Sequence, residues 1–216
     1  MKQFKLNINT KSQKYPIIIG KGLYNNLYKL IVNNSIFFNK CLIVIDNKIK
    51  KKIVNKILSK FKKKKLIIYF FKANEKNKNQ KNVNKILNLL LKNNFQRNDC
   101  LISIGGGITG DVSGFVSSIY KRGMKFVNVP TTLLAQVDSS IGGKTGVNTA
   151  HGKNLIGSFY QPNLVVSDTD FLKTLPKREM ICGYAEMLKH SLILKRKNFT
   201  FLDKNFSKIL KMKSPF

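Results

Sequence analysis

The sequence is poor in acidic residues and contains no tryptophan. Its 216 residues include 10 Asp and Glu against 40 Lys and Arg, so the formal net charge is +30. A field this positive attracts polyanions, which makes binding to nucleic acid or to an anionic membrane one interpretation. Compositional drift is the alternative that we favour, because the basic residues are spread widely and Lys and Asn crowd the stretches with the least pattern.

Cysteine and long apolar runs are also scarce. Cys41, Cys100 and Cys182 are scattered and have no C-x-x-C spacing, which argues against a disulfide scaffold or a zinc finger and indicates reduced thiols. No apolar run reaches the roughly 18 residues of a membrane span. The first residues also lack the apolar segment of a signal peptide. We therefore expect a cytoplasmic protein with no membrane partner.

Short apolar runs alternate with segments of helical spacing. The predicted strands are residues 15–20, 41–46, 65–71, 99–104 and 125–130, and the predicted helices are residues 48–61, 83–95, 111–122, 176–194 and part of 195–216. This order predicts an α/β fold with a parallel sheet, in which ligands bind beyond the carboxyl ends of the strands. Only helices follow Pro176, so we predict an α/β domain over residues 1–172 and a helical one over residues 173–216.

A glycine-rich turn follows the strand predicted at residues 99–104. Gly105, Gly107 and Gly110 satisfy G-x-G-x-x-G and stand directly before a predicted helix. Glycines there let backbone amides approach a pyrophosphate, and the start of a helix favours negative charge. A dinucleotide site is one interpretation, and a tight turn without a ligand is the other.

The stretch GGKT, residues 142–145, resembles the end of a phosphate-binding P-loop but does not meet its requirement. A P-loop needs a glycine five residues before Gly143, and Asp138 stands there, where its carboxylate would repel a triphosphate. We therefore exclude a P-loop. The glycine pair is predicted to present Lys144 beside Asp138, Ser139 and Ser140, and Lys153 and Asn154 form another polar cluster further on, although exposed lysines are common in so basic a chain.

The helix predicted at residues 176–194 carries Glu186, Lys189 and His190 on one face. Glu186 could ligate a metal, pair with Lys189 or face solvent, and solvent exposure is favoured by spacing alone because two ligands do not make a stable zinc site. A neighbouring apolar stripe is expected to be exposed unless a further domain covers it. Its residues are Ile181, Ala185, Leu188 and Leu192.

Five sequence blocks between residues 105 and 192 together resemble the 3-dehydroquinate synthase family of the shikimate pathway. They are GGGITGDVSGFVSSIYKRG, VPTTLLAQVDSSIGGKTGVN, GKNLIGSFYQP, LKTLP and GYAEMLKH. The resemblance implies a Rossmann-like NAD-binding domain followed by a mostly helical domain that carries zinc or cobalt. It implies conversion of 3-deoxy-arabino-heptulosonate 7-phosphate, an anionic sugar phosphate, to 3-dehydroquinate and phosphate in a homodimer.

The resemblance also implies site residues. Contacts to NAD would come from Asp46, Glu75, Lys78, Gly106, Gly107, Asp111, Thr131, Thr132, Lys144, Lys153, Phe171, Leu172, Lys173 and Thr174. The residues implied around the reacting substrate are Lys144, Asn154, Lys189, Arg122 and Asp138. Arg122 would reach the phosphate across the dimer interface, and Glu186 would ligate the metal, whereas the residue at the position of His190 would not.

The chain also departs from the family pattern. The family supplies two histidine metal ligands from positions well beyond Glu186, and neither His151 nor His190 matches them. We therefore expect one metal ligand out of three and a truncated or fragmentary chain. An inactive relative that binds only NAD and another sugar phosphate cyclase remain alternatives. A basic nucleic-acid-binding protein is the least favoured, because no recognition helix or aromatic-basic sheet face stands out.

Overall fold

The computed structural model describes residues 3–61, 64–194 and 196–211. The strands are β1 Gln3–Asn9, β2 Lys14–Gly20, β3 Lys40–Asp46, β4 Lys65–Phe71, β5 Cys100–Gly105, β6 Lys125–Pro130, β7 Lys144–Thr149, β8 Gly152–Phe159 and β9 Leu164–Asp168. The α-helices are α1 Leu27–Asn33, α2 Lys51–Leu58, α3 Gln80–Lys92, α4 Gly107–Ile119, α5 Lys177–Leu194 and α6 Arg196–Leu210.

One sheet organises the described chain, in the order β1-β2-β9-β6-β5-β3-β4. Strand β1 pairs with β2 in the antiparallel sense, and the remaining pairs are parallel. Strands β3 and β5 lie inside the sheet and are buried along almost their whole length, because helices cover both faces. The α/β class with a largely parallel sheet is therefore confirmed, and the bounds predicted for β4 and β6 match those of the structure.

The chain leaves β3 and β5 toward opposite faces of the sheet. Helices α1 and α2 pack on one face, where Val54 and Ile57 contact the core around Ile43. Helices α3 and α4 pack on the other, where Ile86 and Val112 belong to a second core. Adjacent parallel strands whose connections diverge in this way open a crevice at their carboxyl ends, which is the usual ligand position in open α/β sheets.

Strand β4 forms the free edge of the sheet next to β3. Its Ile68 and Phe70 side chains are exposed. Lysines stand at both ends of this strand, at Lys65 and Lys72. The edge therefore combines exposed apolar side chains with flanking positive charge.

The β7–β8 hairpin was not predicted as strands from the sequence, and neither were β1 and β9. The hairpin packs on α4 at a glycine, because a Cβ added at Gly114 would lie 2.5 Å from Thr145 Cγ2. Strand β8 is mostly exposed and leaves Phe159 80% accessible. Apolar side chains that point to solvent interrupt the alternation by which a half-buried strand is recognised in sequence.

Helices α5 and α6 pack against each other next to the turn that follows β6. Tyr184 donates a hydrogen bond to the Leu202 carbonyl oxygen at 2.9 Å, and its ring lies 4.9 Å from that of Phe206. The inward face of α5 is formed by Met180 and Tyr184. The stripe from Ile181 to Leu192 is largely exposed, as expected. Residues 212–216, which were included in the last predicted helix, lie outside the described residues.

Within the described ranges, no helix has both the length and the apolar character needed to cross a membrane.

Gly183 sets how closely α5 approaches the turn after β6. A Cβ at this position would lie 2.6 Å from both Leu133 Cβ and the Leu134 backbone nitrogen, so Gly183→Ala must push the helix away. Overpacking costs about 1–3 kcal/mol, which outweighs the gain of up to about 1 kcal/mol in helix propensity. We expect urea unfolding to show a loss of about 1 kcal/mol in the free energy of unfolding.

The matched control is Cys182→Ala at the exposed neighbouring position of the same helix. It changes helix propensity without overpacking, so its free energy of unfolding should stay within about 0.5 kcal/mol of the wild type. Equal stability of the two variants would contradict the close contact at Gly183.

Candidate functional site

The residues implied as cofactor contacts come together at the carboxyl ends of five strands. Asp46 ends β3, and residues 74–79 follow β4 in a short helical turn. The remaining members of this edge are Gly106 and Gly107 after β5, Thr131 and Thr132 after β6, and Phe171, Leu172, Lys173 and Thr174 after β9. Parallel strands bring these loops together although they are far apart in sequence.

The start of α4 is suited to an anion. Gly106 is the N-cap residue and makes no side-chain capping bond, and the first turn holds no acidic residue. The first amides of a helix have no partner within the helix, and the helix dipole adds positive potential there. Ser139 Oγ is buried without a hydrogen-bond partner and lies 2.7 Å from a Cβ built on Gly107. This surface fits a pyrophosphate group.

Asp46 lies beside this helix start, since β3 and β5 are paired neighbours. Its carboxylate accepts a hydrogen bond from the Lys48 backbone at 3.0 Å. Burial raises the pKa of Asp46 above its ordinary value, and the bond from Lys48 only partly offsets this effect. The position at a strand end fits the acidic residue that holds a ribose in dinucleotide-binding folds.

The turn after β9 offers a ligand fewer accessible side chains than the resemblance implied. The side chains of Phe171 and Leu172 are buried, and the Phe171 ring packs 5.4 Å from that of Tyr24. Lys173 is half-exposed and pairs with Asp170 at 2.6 Å. A ligand at this turn would therefore meet backbone groups, Lys173 or Thr174.

A buried ammonium group connects three segments of the site. Lys78 Nζ lies 2.5 Å from Asp111 Oδ2 in α4 and 2.5 Å from Asn154 Oδ1 in the hairpin. The Lys78 side chain is only 7% exposed. Burial raises the pKa of Asp111, and the hydrogen bond and charge of Lys78 act in the opposite direction. The loop after β4, the start of α4 and the hairpin are therefore held at fixed separations.

The hairpin presents the cationic residues. Lys144 begins β7 after Gly142 and Gly143, both of which have positive φ, and its side chain is exposed. Lys153 lies in β8 with its ammonium 3.9 Å from Glu75 Oε2. Asn154 adopts a left-handed backbone with φ of 57°, which costs energy for a residue with a side chain and is frequent at functional sites.

A second cluster lies where α5 meets the turn after β6. Asp138, Glu186 and His190 each offer a ligand atom, and these atoms lie within 4.8 Å of one another. Glu186 Oε1 is bonded to Lys189 Nζ and lies 2.9 Å from His190 Nε2. The Lys189 hydrogen bond lowers the pKa of Glu186. The favoured prediction that Glu186 faces solvent was wrong, because its side chain is 16% exposed and bonded on one oxygen.

Arg122 is the implied site residue that the structure leaves apart from the others. It follows the carboxyl end of α4, whose 13 residues span about 20 Å. Its φ is 61° and its side chain is exposed. The glycine turn and Asp111, which bonds to Lys78, lie at the opposite end of this helix.

Sequence reasoning missed Asn148 as a site residue and named Ser139 only as a polar neighbour of Lys144. Asn148 bonds to both the loop after β4 and the hairpin. Ser139 faces the start of α4. Both lie inside the block VPTTLLAQVDSSIGGKTGVN, which was the available signal, but their partners are remote in sequence.

Removal of the Lys78 charge should be strongly destabilising. Lys78→Met leaves the Asp111 carboxylate buried without its cation, which typically costs about 3 kcal/mol or more. The pKa of Asp111 should then rise further, so the native state binds the proton more tightly than the unfolded state does. The loss of unfolding free energy is smallest below the ordinary Asp pKa of about 4. It grows as the pH rises through the raised pKa of Asp111.

Urea unfolding at about pH 4 and pH 7 measures this difference. The double variant Lys78→Met with Asp111→Asn should recover much of the loss at pH 7, because no buried charge remains. Lys81→Met removes an exposed lysine of α3 and should change stability by less than about 0.5 kcal/mol. A pH-independent loss would mean that Lys78 contributes packing and not charge.

Comparison with known proteins gives consistent matches. The family model described as 3-dehydroquinate synthase N-terminal matches residues 68–182. The 3-dehydroquinate synthase of Pelagibacter ubique (strain HTCC1062) is 63% identical over 212 residues, covering 98% of this chain and 58% of that protein. The chain thus spans just over half the length of this relative.

Two solved structures share the fold. A 2-deoxy-scyllo-inosose synthase complexed with carbaglucose-6-phosphate, NAD+ and Co2+ has a TM-score of 0.82 and 28% identity, covering 90% of this chain and 53% of its own. The 2-epi-5-epi-valiolone synthase of Streptomyces hygroscopicus subsp. jinggangensis 5008, with NAD+ and Zn2+ bound, has a TM-score of 0.84 and 26% identity. It covers 94% of this chain and 56% of its own. From the family match and these relatives together, this chain belongs to the 3-dehydroquinate synthase family.

Proposed function

We propose that this chain carries the NAD-binding and part of the substrate-binding machinery of a 3-dehydroquinate synthase. The reaction converts 3-deoxy-arabino-heptulosonate 7-phosphate to 3-dehydroquinate and phosphate. The observation that carries the proposal is the convergence of the glycine turn, Asp46 and the cationic hairpin at one edge of the sheet. The 63% identity to a relative of that name supports this substrate.

The residues present fit NAD. The unbonded Ser139 hydroxyl and the uncapped start of α4 suit the pyrophosphate, and Asp46 suits a ribose. NAD would accept a hydride from the substrate alcohol and return it later in the same turnover. Within this arrangement, Lys78 holds Asp111 and Asn154 in place from below the cofactor edge.

The hairpin and α5 would bind the substrate. Lys144 is exposed at the start of β7 and Lys189 is 58% exposed on α5, so both ammonium groups can approach the carboxylate or phosphate of an anionic sugar. Arg122 lies too far away within one chain. We propose that it reaches the phosphate of a second copy in a homodimer, where its planar fork suits phosphate oxygens.

Glu186 is the proposed metal ligand, and its surroundings fit a divalent ion. Asp138 and His190, which the resemblance did not imply as ligands, offer further oxygen and nitrogen donors within 4.8 Å, and this donor set suits zinc or cobalt. The metal would polarise the substrate alcohol as a Lewis acid. The Lys189 side chain, now bonded to Glu186, would have to turn toward substrate when the ion binds.

Other parts of the proposal concern organisation. We propose that residues 1–172 form the NAD-binding domain and that residues 173–216 begin a helical one, supported by the packing of α5 against α6. The cytoplasm is proposed as the location, supported by three free cysteines.

Two alternative activities remain within the family's chemistry. Another sugar phosphate cyclase activity is favoured less, because the two cyclases compared are 28% and 26% identical to this chain. The other alternative, a relative that binds only NAD, would release no phosphate from the substrate.

Calorimetric titration of the full chain with NAD tests the cofactor proposal. Asp46→Asn keeps the bond to the Lys48 backbone but loses one charged acceptor for the ribose, so we expect about tenfold weaker binding. Asp203→Asn changes an exposed acid on α6 and should leave the affinity within twofold. Equal affinities for the two variants would place the ribose elsewhere, and an absence of NAD binding by the unmodified chain would contradict the proposed function.

Phosphate release from the substrate, with NAD and Co2+ present, tests the activity. Lys144→Ala should lower turnover by at least about a hundredfold, because an ammonium on a dianionic substrate contributes several kcal/mol in a desolvated site. Its NAD affinity should stay within twofold of the wild type. An equal loss of both would make Lys144 a cofactor ligand, and no release by the unmodified chain would favour the alternative that binds only NAD.

A further inference from the structure

Asn148 occupies an irregular position in the hairpin. The β7–β8 register shifts between Val147, which pairs with Ile156, and Thr149, which pairs with Gly152. Asn148 stands opposite residues 153–155 of β8 without a register partner among them, and it forms an isolated bridge with Asn79. The extra residues of this bulge are therefore in β8, and one of them is Asn154. A bulge redirects the side chains of its extra residues, and bulges are frequent beside active sites.

The freed groups of Asn148 bond in two directions. Its backbone nitrogen donates to the Lys78 carbonyl oxygen at 2.8 Å. Its side-chain Nδ2 donates to Glu75 Oε2 at 2.8 Å, while its Oδ1 accepts from the Asn154 backbone nitrogen at 3.0 Å. Both ends of one amide are therefore used, one toward the loop after β4 and one toward the hairpin.

The two directions lead to groups with different proposed tasks. The family resemblance implies Glu75 and Lys78 as cofactor contacts and Asn154 as a substrate contact. Asn154 also has the left-handed backbone, which a non-glycine residue keeps only where its surroundings hold it. The bond from its backbone nitrogen to Asn148 is one such restraint, and the bond from Lys78 to its side chain is another.

We infer that Asn148 is a positioning residue that joins the cofactor loop to the substrate-binding turn of the hairpin. It fixes the left-handed Asn154 and the Glu75 carboxylate relative to each other, so that the two halves of the site are ordered together. This inference rests on the proposed function for the tasks of Glu75 and Asn154. The contacts themselves can be tested without turnover.

Two substitutions separate the two arms of Asn148. Asn148→Ala removes both arms. Asn148→Asp keeps an acceptor for the Asn154 amide but replaces the donor to Glu75 with a second carboxylate, and like charges at hydrogen-bond distance repel. Asn93→Ala is the matched control, because its side chain caps α3 by donating to the Leu89 carbonyl oxygen away from the site.

The first measurement is hydrogen exchange of the Asn154 backbone amide in the full chain. Asn148→Ala should exchange about tenfold faster at this amide than the wild type, whereas Asn148→Asp and Asn93→Ala should stay within twofold. Unchanged protection in Asn148→Ala, with an unchanged thermal midpoint, would overturn the positioning of Asn154.

The second measurement is NAD affinity by calorimetry. Asn148→Ala and Asn148→Asp should each bind NAD about tenfold more weakly, with thermal midpoints close to that of Asn93→Ala. Adding Glu75→Gln to Asn148→Asp restores one donor and one acceptor across this contact, so the double variant should bind NAD as well as Glu75→Gln alone. NAD affinities within twofold of the wild type in both single variants would overturn the coupling. If the unmodified chain binds no NAD, the proposed function and the coupling both fail, while the exchange experiment still decides the contact to Asn154.

Discussion

The site depends on one buried charge, the ammonium group of Lys78. An ion removed from water is costly unless charged or polar groups replace its hydration. The replacement comes from Asp111 and Asn154, which lie 33 and 76 positions away along the chain. The need to satisfy this ammonium therefore holds a loop, a helix and a hairpin together, and the surrounding asparagine bonds refine that arrangement.

The sheet supplies the frame on which this charge can act. Parallel strands place all their carboxyl ends at one edge of the sheet. Because the chain leaves β3 and β5 toward opposite faces, a crevice opens there. The glycine turn enters α4 at that crevice, and α4 in turn supports the hairpin through Gly114. The glycine turn and the hairpin are thus both positioned by α4, which packs in the core.

The sequence predicted the central architecture well because β3 and β5 are covered on both faces and are written as continuous apolar runs. It also located the glycine turn, and the family resemblance supplied most of the polar residues at the sheet edge. The hairpin escaped prediction because β8 exposes apolar side chains. The bulge opposite Asn148 depends on strand register, and the contact between Lys78 and Asp111 depends on the packing of distant segments; neither leaves a local pattern. Glu186 was misjudged although its bonds to Lys189 and His190 are local, because its partial burial depends on the packing of α5 near Asp138 of another element.

The lysines that flank the edge strand β4 affect how this edge can meet another one. Among the described residues, no strand pairs with the outer side of β4, and an edge of this kind with exposed Ile68 and Phe70 is a template for the growth of aggregates. Lys65 and Lys72 stand at its two ends. Two such edges that approached each other would bring ammonium groups together before any backbone bonds formed. These two lysines thus act as gatekeepers for the open side of the sheet, with protection that weakens as salt screens the charges.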